Sequence, residues 1–159
     1  MALAQAGAGD RAQCESGVYA IDDKQRDSLL HGDLVPADLR VAVVDGRIAV
    51  DRDGIFDELA RTMRFPDYFG RNWDAVYDCL TDPSLLPGDG SVIVLDGCDR
   101  LSGDHPDQWQ IALKVFDEAC AFWQPTRTPL FILLCGTATT SEGVPDLPSG
   151  CLLRPRPNR

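Results

Sequence analysis

The chain has 159 residues, of which 44 % are hydrophobic, and a formal net charge of −10. That is enough apolar material for one packed domain with loose ends, and the wrong sign for a nucleic-acid binder, which meets phosphates with cations. No apolar stretch approaches the ~20 residues of a transmembrane helix, and the opening MALAQAGAGDRAQC has neither a basic n-region nor an apolar h-region, so a cytoplasmic protein with no membrane partner is expected.

The first dozen residues are small and polar, and disorder is expected there. Gly17-Val18-Tyr19-Ala20-Ile21 fits a short strand and residues 24–30 a helical turn. From Arg40 the pattern sharpens. Val41-Ala42-Val43-Val44 is a β-branched run closed by Asp45-Gly46, a turn dipeptide. Arg47-Ile48-Ala49-Val50 either pairs back or leads onward. Asp53 is the expected N-cap of a helix that buries Ile55, Phe56, Leu59 and Met63 on one face and ends before Pro66. Residues 67–71 form a loop. Asn72 caps a second helix through about Thr81, with Trp73, Val76, Tyr77 and Leu80 at i, i+3, i+4 and i+7 as its buried stripe.

Asp82-Pro83 and Pro87-Gly88-Asp89-Gly90 break the chain. Ser91-Val92-Ile93-Val94-Leu95 reads as a central parallel strand. Residues 96–107 are polar and irregular. A third helix spans about Asp107 to Trp123, with Ala112, Val115, Phe116, Ala119, Cys120 and Trp123 facing inward. Leu130-Phe131-Ile132-Leu133-Leu134-Cys135 is a further buried strand. After Gly136 the apolar content falls, and removal of residues 143–159 is expected to leave folding intact. Strands separated by helices imply parallel pairing, hence an α/β fold: a small three-stranded parallel sheet packed by helices. The expected division is an N-terminal extension (1–39), a central domain (40–137) and a disordered or loosely attached tail (138–159).

Six cysteines, at 14, 79, 98, 120, 135 and 151, form no C-x-x-C pair and read as reduced packing residues. His31 and His105 have no ligand spacing around them, so neither a metal nor a cofactor is expected. G-x-S-x-G, Walker A and G-x-G-x-x-G motifs are all missing.

The charge is local. Between Asp51 and Asp107 stand thirteen Asp plus Glu against five Arg and no Lys, a balance of −8. Within that window Asp74 and Asp78 lie four apart on the second helix, where like charges repel by roughly 0.2–0.5 kcal/mol. The spacing is open to a solvated helix face, a protein-binding face or a pair of catalytic carboxylates. The helix dipole accounts for Asp74 and accounts poorly for Asp78, a turn later.

The stretch FPDYFGRNWDAVYDCL, residues 65–80, resembles the signature segment of the barstar family, inhibitors of barnase-type ribonucleases. The similarity extends more loosely from Val41 to Cys135. It implies a three-stranded parallel sheet with helices, a protein that is not an enzyme, no cofactor, and a 1:1 complex with a basic, secreted-type ribonuclease. Carried over position by position, the implied contact set is Tyr68, Phe69, Gly70, Asn72, Asp74, Ala75, Tyr77, Asp78, Thr81 and Glu118. Asp78 would then be the central anion, seated where the substrate phosphate lies. Trp73 departs from the family's usual Leu, and the segment 82–90 is longer than expected. Two other readings stand beside this one: an acidic immunity module against a different toxin, and a carboxylate-dependent hydrolase.

Overall fold

The computed structural model describes residues 15–31, 39–86 and 88–148. The expectations for the first dozen residues, for Cys14 and Cys151, and for 149–159 lie outside these. In chain order the elements are β1 (Gly17–Ile21), α1 (Asp23–Leu30), β2 (Arg40–Asp45), α2 (Arg52–Met63), α3 (Trp73–Leu80), β3 (Ser91–Asp96), α4 (Asp99–Asp104), α5 (Pro106–Trp123), β4 (Leu130–Cys135) and α6 (Ala138–Ser141).

All strand pairs are parallel, in the order β1-β4-β3-β2. Among the described residues the sheet therefore has four strands, not the three expected. The fourth comes from the segment read as an N-terminal extension: Gly17 stands opposite Phe131 and Ile21 opposite Cys135. Ser16 anchors it, its hydroxyl accepting from Leu130 N at 3.0 Å. Such a partner, near the far end of the chain, is invisible to local pattern.

β3 and β4 read as unbroken apolar runs because both sheet faces are covered. Ile93, Leu95, Leu130, Ile132 and Leu134 point to a first core shared with α2, α3, α4 and α5. Val92, Val94, Phe131, Leu133 and Cys135 point to a second core closed by Leu29 of α1, by Leu39 and by Leu147. Leu147 is buried, and 145–147 hydrogen-bond to the outer edge of β1 through Ala20 N to Pro145 O and Leu147 N to Ala20 O, both 2.8 Å. Residues 138–148 are thus part of the folded unit, which corrects the expectation of a loose tail for that stretch. Its few apolar residues are well placed without being periodic.

Three local details also differ. Asp51, not Asp53, caps α2, accepting from Gly54 N at 2.8 Å. Asp45-Gly46 closes no hairpin. Gly46 N instead donates to Asp96 O at 2.8 Å, and a Cβ on Gly46 would fall 2.0 Å from Gly97 O, so glycine permits the approach of two strand ends. Residues 99–104, read as irregular, form α4, which buries only Leu101 and Ser102 and so has too little apolar pattern to reveal itself. Asp99 at its start accepts from Thr137 N and the Thr140 hydroxyl, both 2.7 Å, tying α6 to α4. Burial pushes the Asp99 carboxyl up, but these hydrogen bonds outweigh it and hold it below its ordinary value.

Candidate functional site

The loop 66–72 is built by what each side chain can bury. α2 ends at Arg64 in the left-handed conformation, and Pro66 prevents continuation. A turn follows, with Phe69 N donating to Pro66 O at 2.9 Å. Phe69 folds inward, edge-on to Phe56 with centroids 6.0 Å apart and tilted on Phe65 at 4.9 Å. Its neighbour Tyr68 is left 77 % exposed, a large ring held out by the anchoring of the residue beside it.

Arg71 takes φ 55°, and its guanidinium pairs with Asp57 and, at 3.8 Å, with Asp53 on α2. The hydrogen bond that Arg71 donates to Asp57 raises the pKa of Arg71 further. Sequence reading missed this tether, because its acidic partners lie a whole helix earlier. Asn72 completes the loop. Its Oδ1 accepts from Ala75 N at 2.8 Å as the α3 N-cap, and its Nδ2 donates to Gly70 O at 3.3 Å. A Cβ on Gly70 would stand 3.3 Å from that Nδ2, so a side chain there would crowd the cap.

α3 is seated by Trp73. The indole packs edge-on to Phe56 at 4.9 Å and Phe116 at 6.4 Å, and Nε1 donates to Gln108 Oε1 at 2.9 Å. The departure from Leu is thereby absorbed by an added hydrogen bond to α5. Val76, Cys79 and Leu80 are buried and Tyr77 half-buried. At the helix end Trp123 Nε1 donates to Leu80 O at 2.8 Å, and the Thr81 hydroxyl donates back to Tyr77 O at 2.8 Å. The Leu80 carbonyl, which a helix terminus leaves open, is thus satisfied, and Tyr77 O, which already accepts from Thr81 N at 3.0 Å, gains a second bond. Thr81 is half-buried and serves as a C-cap.

On the opposite side of α3, Asp74 and Asp78 are exposed. Neither carboxylate has a hydrogen-bond or ion-pair partner among the described residues. Ala75 lies half-buried beside them. Beyond Thr81, Asp82 accepts from Ser84 N at 2.9 Å and from its hydroxyl at 2.8 Å, and these bonds lower its pKa. Leu86 is buried and Leu85 packs on the first core, so the long segment 82–90 is pinned inward at its middle.

A family model described as "Barstar (barnase inhibitor)" matches residues 39–135. The chain belongs to the barstar family. One curated relative, "Putative ribonuclease inhibitor YrdF" of Bacillus subtilis (strain 168), is 44 % identical over 49 residues, 31 % of this chain and 54 % of the relative. The chain thus spans about half the length of that relative. A crystal structure of Cdc6p from Pyrobaculum aerophilum superposes with a TM-score of 0.49 at 16 % identity, covering 89 % of this chain and 38 % of that one.

Within this barstar-family fold, Tyr68, Gly70, Asn72, Asp74, Ala75, Tyr77, Asp78 and Thr81 fall on one continuous loop and helix, and Phe69 is the inward anchor of that loop. Glu118 sits apart on α5, exposed. Gln108 of α5 meets Trp73, while Leu113, Lys114 and Asp117 line a groove against Val18 and residues 142–145. At 100° per residue these contacts put Glu118 on the flank of α5 nearer to α3. Among the described residues no group of His, Cys, Asp or Glu is arranged to hold a metal ion, and Cys79, Cys98, Cys120 and Cys135 are free and buried. Burial pushes the Cys98 thiol up to about 12. No helix among the described residues is long and apolar enough to cross a membrane.

Proposed function

We propose that the chain is a stoichiometric, non-enzymatic inhibitor that binds and blocks the active site of a basic, secreted-type, barnase-like guanyl-specific ribonuclease inside the cell. The observation that carries this is the pair Asp74 and Asp78: exposed, four apart, unpaired, and mounted on a helix capped at both ends. Membership of a family described as barnase inhibitors supports the same reading. Unpaired acids on a rigid mount are costly to the isolated helix and suited to a partner that brings the cations. A ribonuclease active site must bind a phosphate, and a carboxylate placed there accepts charge-assisted hydrogen bonds from the same groups. Tyr68, held out by the anchored Phe69, adds an aromatic contact beside them.

The test is titration of the purified protein into a barnase-like guanyl-specific ribonuclease with residual activity as readout, for the parent, Asp74→Ala and Asp78→Ala. Asp78→Ala should weaken inhibition most, by orders of magnitude, through faster dissociation. Loss of one partner of a buried interfacial charge pair costs ~2–5 kcal/mol or more, a size known from complexes that include the barnase–barstar pair rather than worked from this geometry. Its thermal midpoint should hold, because Asp78 touches none of the core. Undiminished binding by Asp78→Ala would overturn the assignment of Asp78 as the anchor.

A further inference from the structure

α5 is apolar on more than the face it buries. Trp109, Ala112, Val115, Phe116, Ala119, Cys120 and Trp123 are in the core, yet Ile111 is 40 % and Phe122 44 % exposed. With Glu118 they stand at i, i+7 and i+11, a spacing that falls within a sector of about 40° along roughly 16 Å of helix. This is the flank nearer to α3. The lysine of α5, Lys114, one turn before Glu118 and about 40° from it, lines the groove beside residues 142–145 and makes no ion pair with Glu118.

The stripe Ile111–Glu118–Phe122 therefore lies on the side of α5 from which Gln108 reaches α3, the helix that carries Asp74 and Asp78. Among the described residues none of these three acids has an ion-pair partner. Single exposed apolar residues are ordinary. Two in register on one stripe, bracketing an unpaired carboxylate on a helix packed against the one that carries two more, match an interface whose apolar contacts sit within a charged surround.

We propose that this flank of α5 is the specificity-determining half of the binding face. It takes an apolar side chain that the basic ribonuclease presents next to its active-site cations, seated between Ile111 and Phe122 while Glu118 meets a flanking cation. The inference rests on the ribonuclease-inhibitor reading and assigns it two contacts, Ile111 and Phe122, that the family signature does not supply. α3 supplies the anion for any phosphate-binding site, and α5 selects which basic enzyme fits.

The test measures association and dissociation rates against a barnase-like guanyl-specific ribonuclease that the parent inhibits. The variants are Ile111→Ser, the double variant with Phe122→Ser, and Asp78→Ala as reference. Because the Phe122 ring packs on Trp123 with centroids 5.0 Å apart, thermal midpoints are taken alongside, and Ile111→Ser gives a readout free of that contact. The double variant should bind about tenfold or more weaker, almost wholly through faster dissociation, with the salt dependence of association unchanged. If the parent and Asp78→Ala behave as expected while both serine variants bind like the parent, the inference falls and the inhibitor reading stands. If the parent inhibits no basic ribonuclease, both fall. Should the free parent be a dimer that the serine variants dissolve, the stripe is a self-contact and the inference is overturned.

Discussion

Removing residues 143–159 should destabilise the fold while leaving the binding face intact. Leu147 is 3 % exposed, and burying a leucine is worth ~1.5–3 kcal/mol. The two backbone hydrogen bonds to Ala20, both 2.8 Å, add about 0.5–1.5 kcal/mol each, net of water. Gln25 Nε2 also donates to Leu147 O at 3.2 Å. Together the truncation should cost about 3–6 kcal/mol, a large part of the ~5–15 kcal/mol typical of a domain. In a domain of this size that lowers Tm by roughly 10–20 °C. Urea and thermal melts followed by circular dichroism measure it, with Leu147→Ala as a point variant expected to lose ~2–5 kcal/mol. The truncation also uncovers the edge of β1, an invitation to strand-edge association, so melts are run at several concentrations. Ribonuclease affinity, measured well below the new midpoint, should be unchanged, because Leu147 closes the core on the sheet face opposite α3. A truncated protein that melts within a degree of the parent would refute the reasoning and restore 143–148 to the status of a loose tail.

Association with the ribonuclease should be fast, on the order of 10⁸ M⁻¹s⁻¹ at low salt, and should slow with ionic strength far more than dissociation quickens; stopped-flow rates indifferent to salt would contradict this. Arg71→Ala should leave Tm nearly unchanged, raise the on-rate slightly by unmasking Asp53 and Asp57, and raise the off-rate more by freeing the loop that presents Tyr68; an unchanged off-rate would show the tether to be idle. Stability should fall on acidification because hydrogen bonds from Arg61 hold the Glu58 carboxyl below its ordinary value, against burial and with help from Asp45 N. A carboxyl whose folded pKa is depressed stabilises the fold above its unfolded value and loses that contribution as pH falls through the folded one, so Glu58→Gln should lower Tm at neutral pH by a few degrees and flatten its decline below about pH 4; an equally steep decline in the variant would refute it.

What the residues determine alone is the part of this protein that depends on neighbours in sequence. Helical spacing marks Ile55, Phe56, Leu59 and Met63, and on α5 Ala112, Val115, Phe116, Ala119, Cys120 and Trp123, and all ten are buried. Asn72 caps α3 as its position before Trp73 requires. The exposure of Asp74 and Asp78 follows from the same periodicity, because the stripe through Val76 and Leu80 leaves them on the outside. The segment 65–80 carries the family in its own right. Tertiary structure decided the rest. Gly17–Ile21 becomes a fourth strand only because β4 has an open edge to receive it, and residues 145–147 become structure only because β1 then offers Ala20. Arg71 becomes a tether when α2 brings Asp53 and Asp57 beneath it, and Trp73 finds Gln108 across a helix contact. Periodicity reports which side of an element is apolar; which surface covers that side, and which distant group meets a polar tip, is settled when the elements pack.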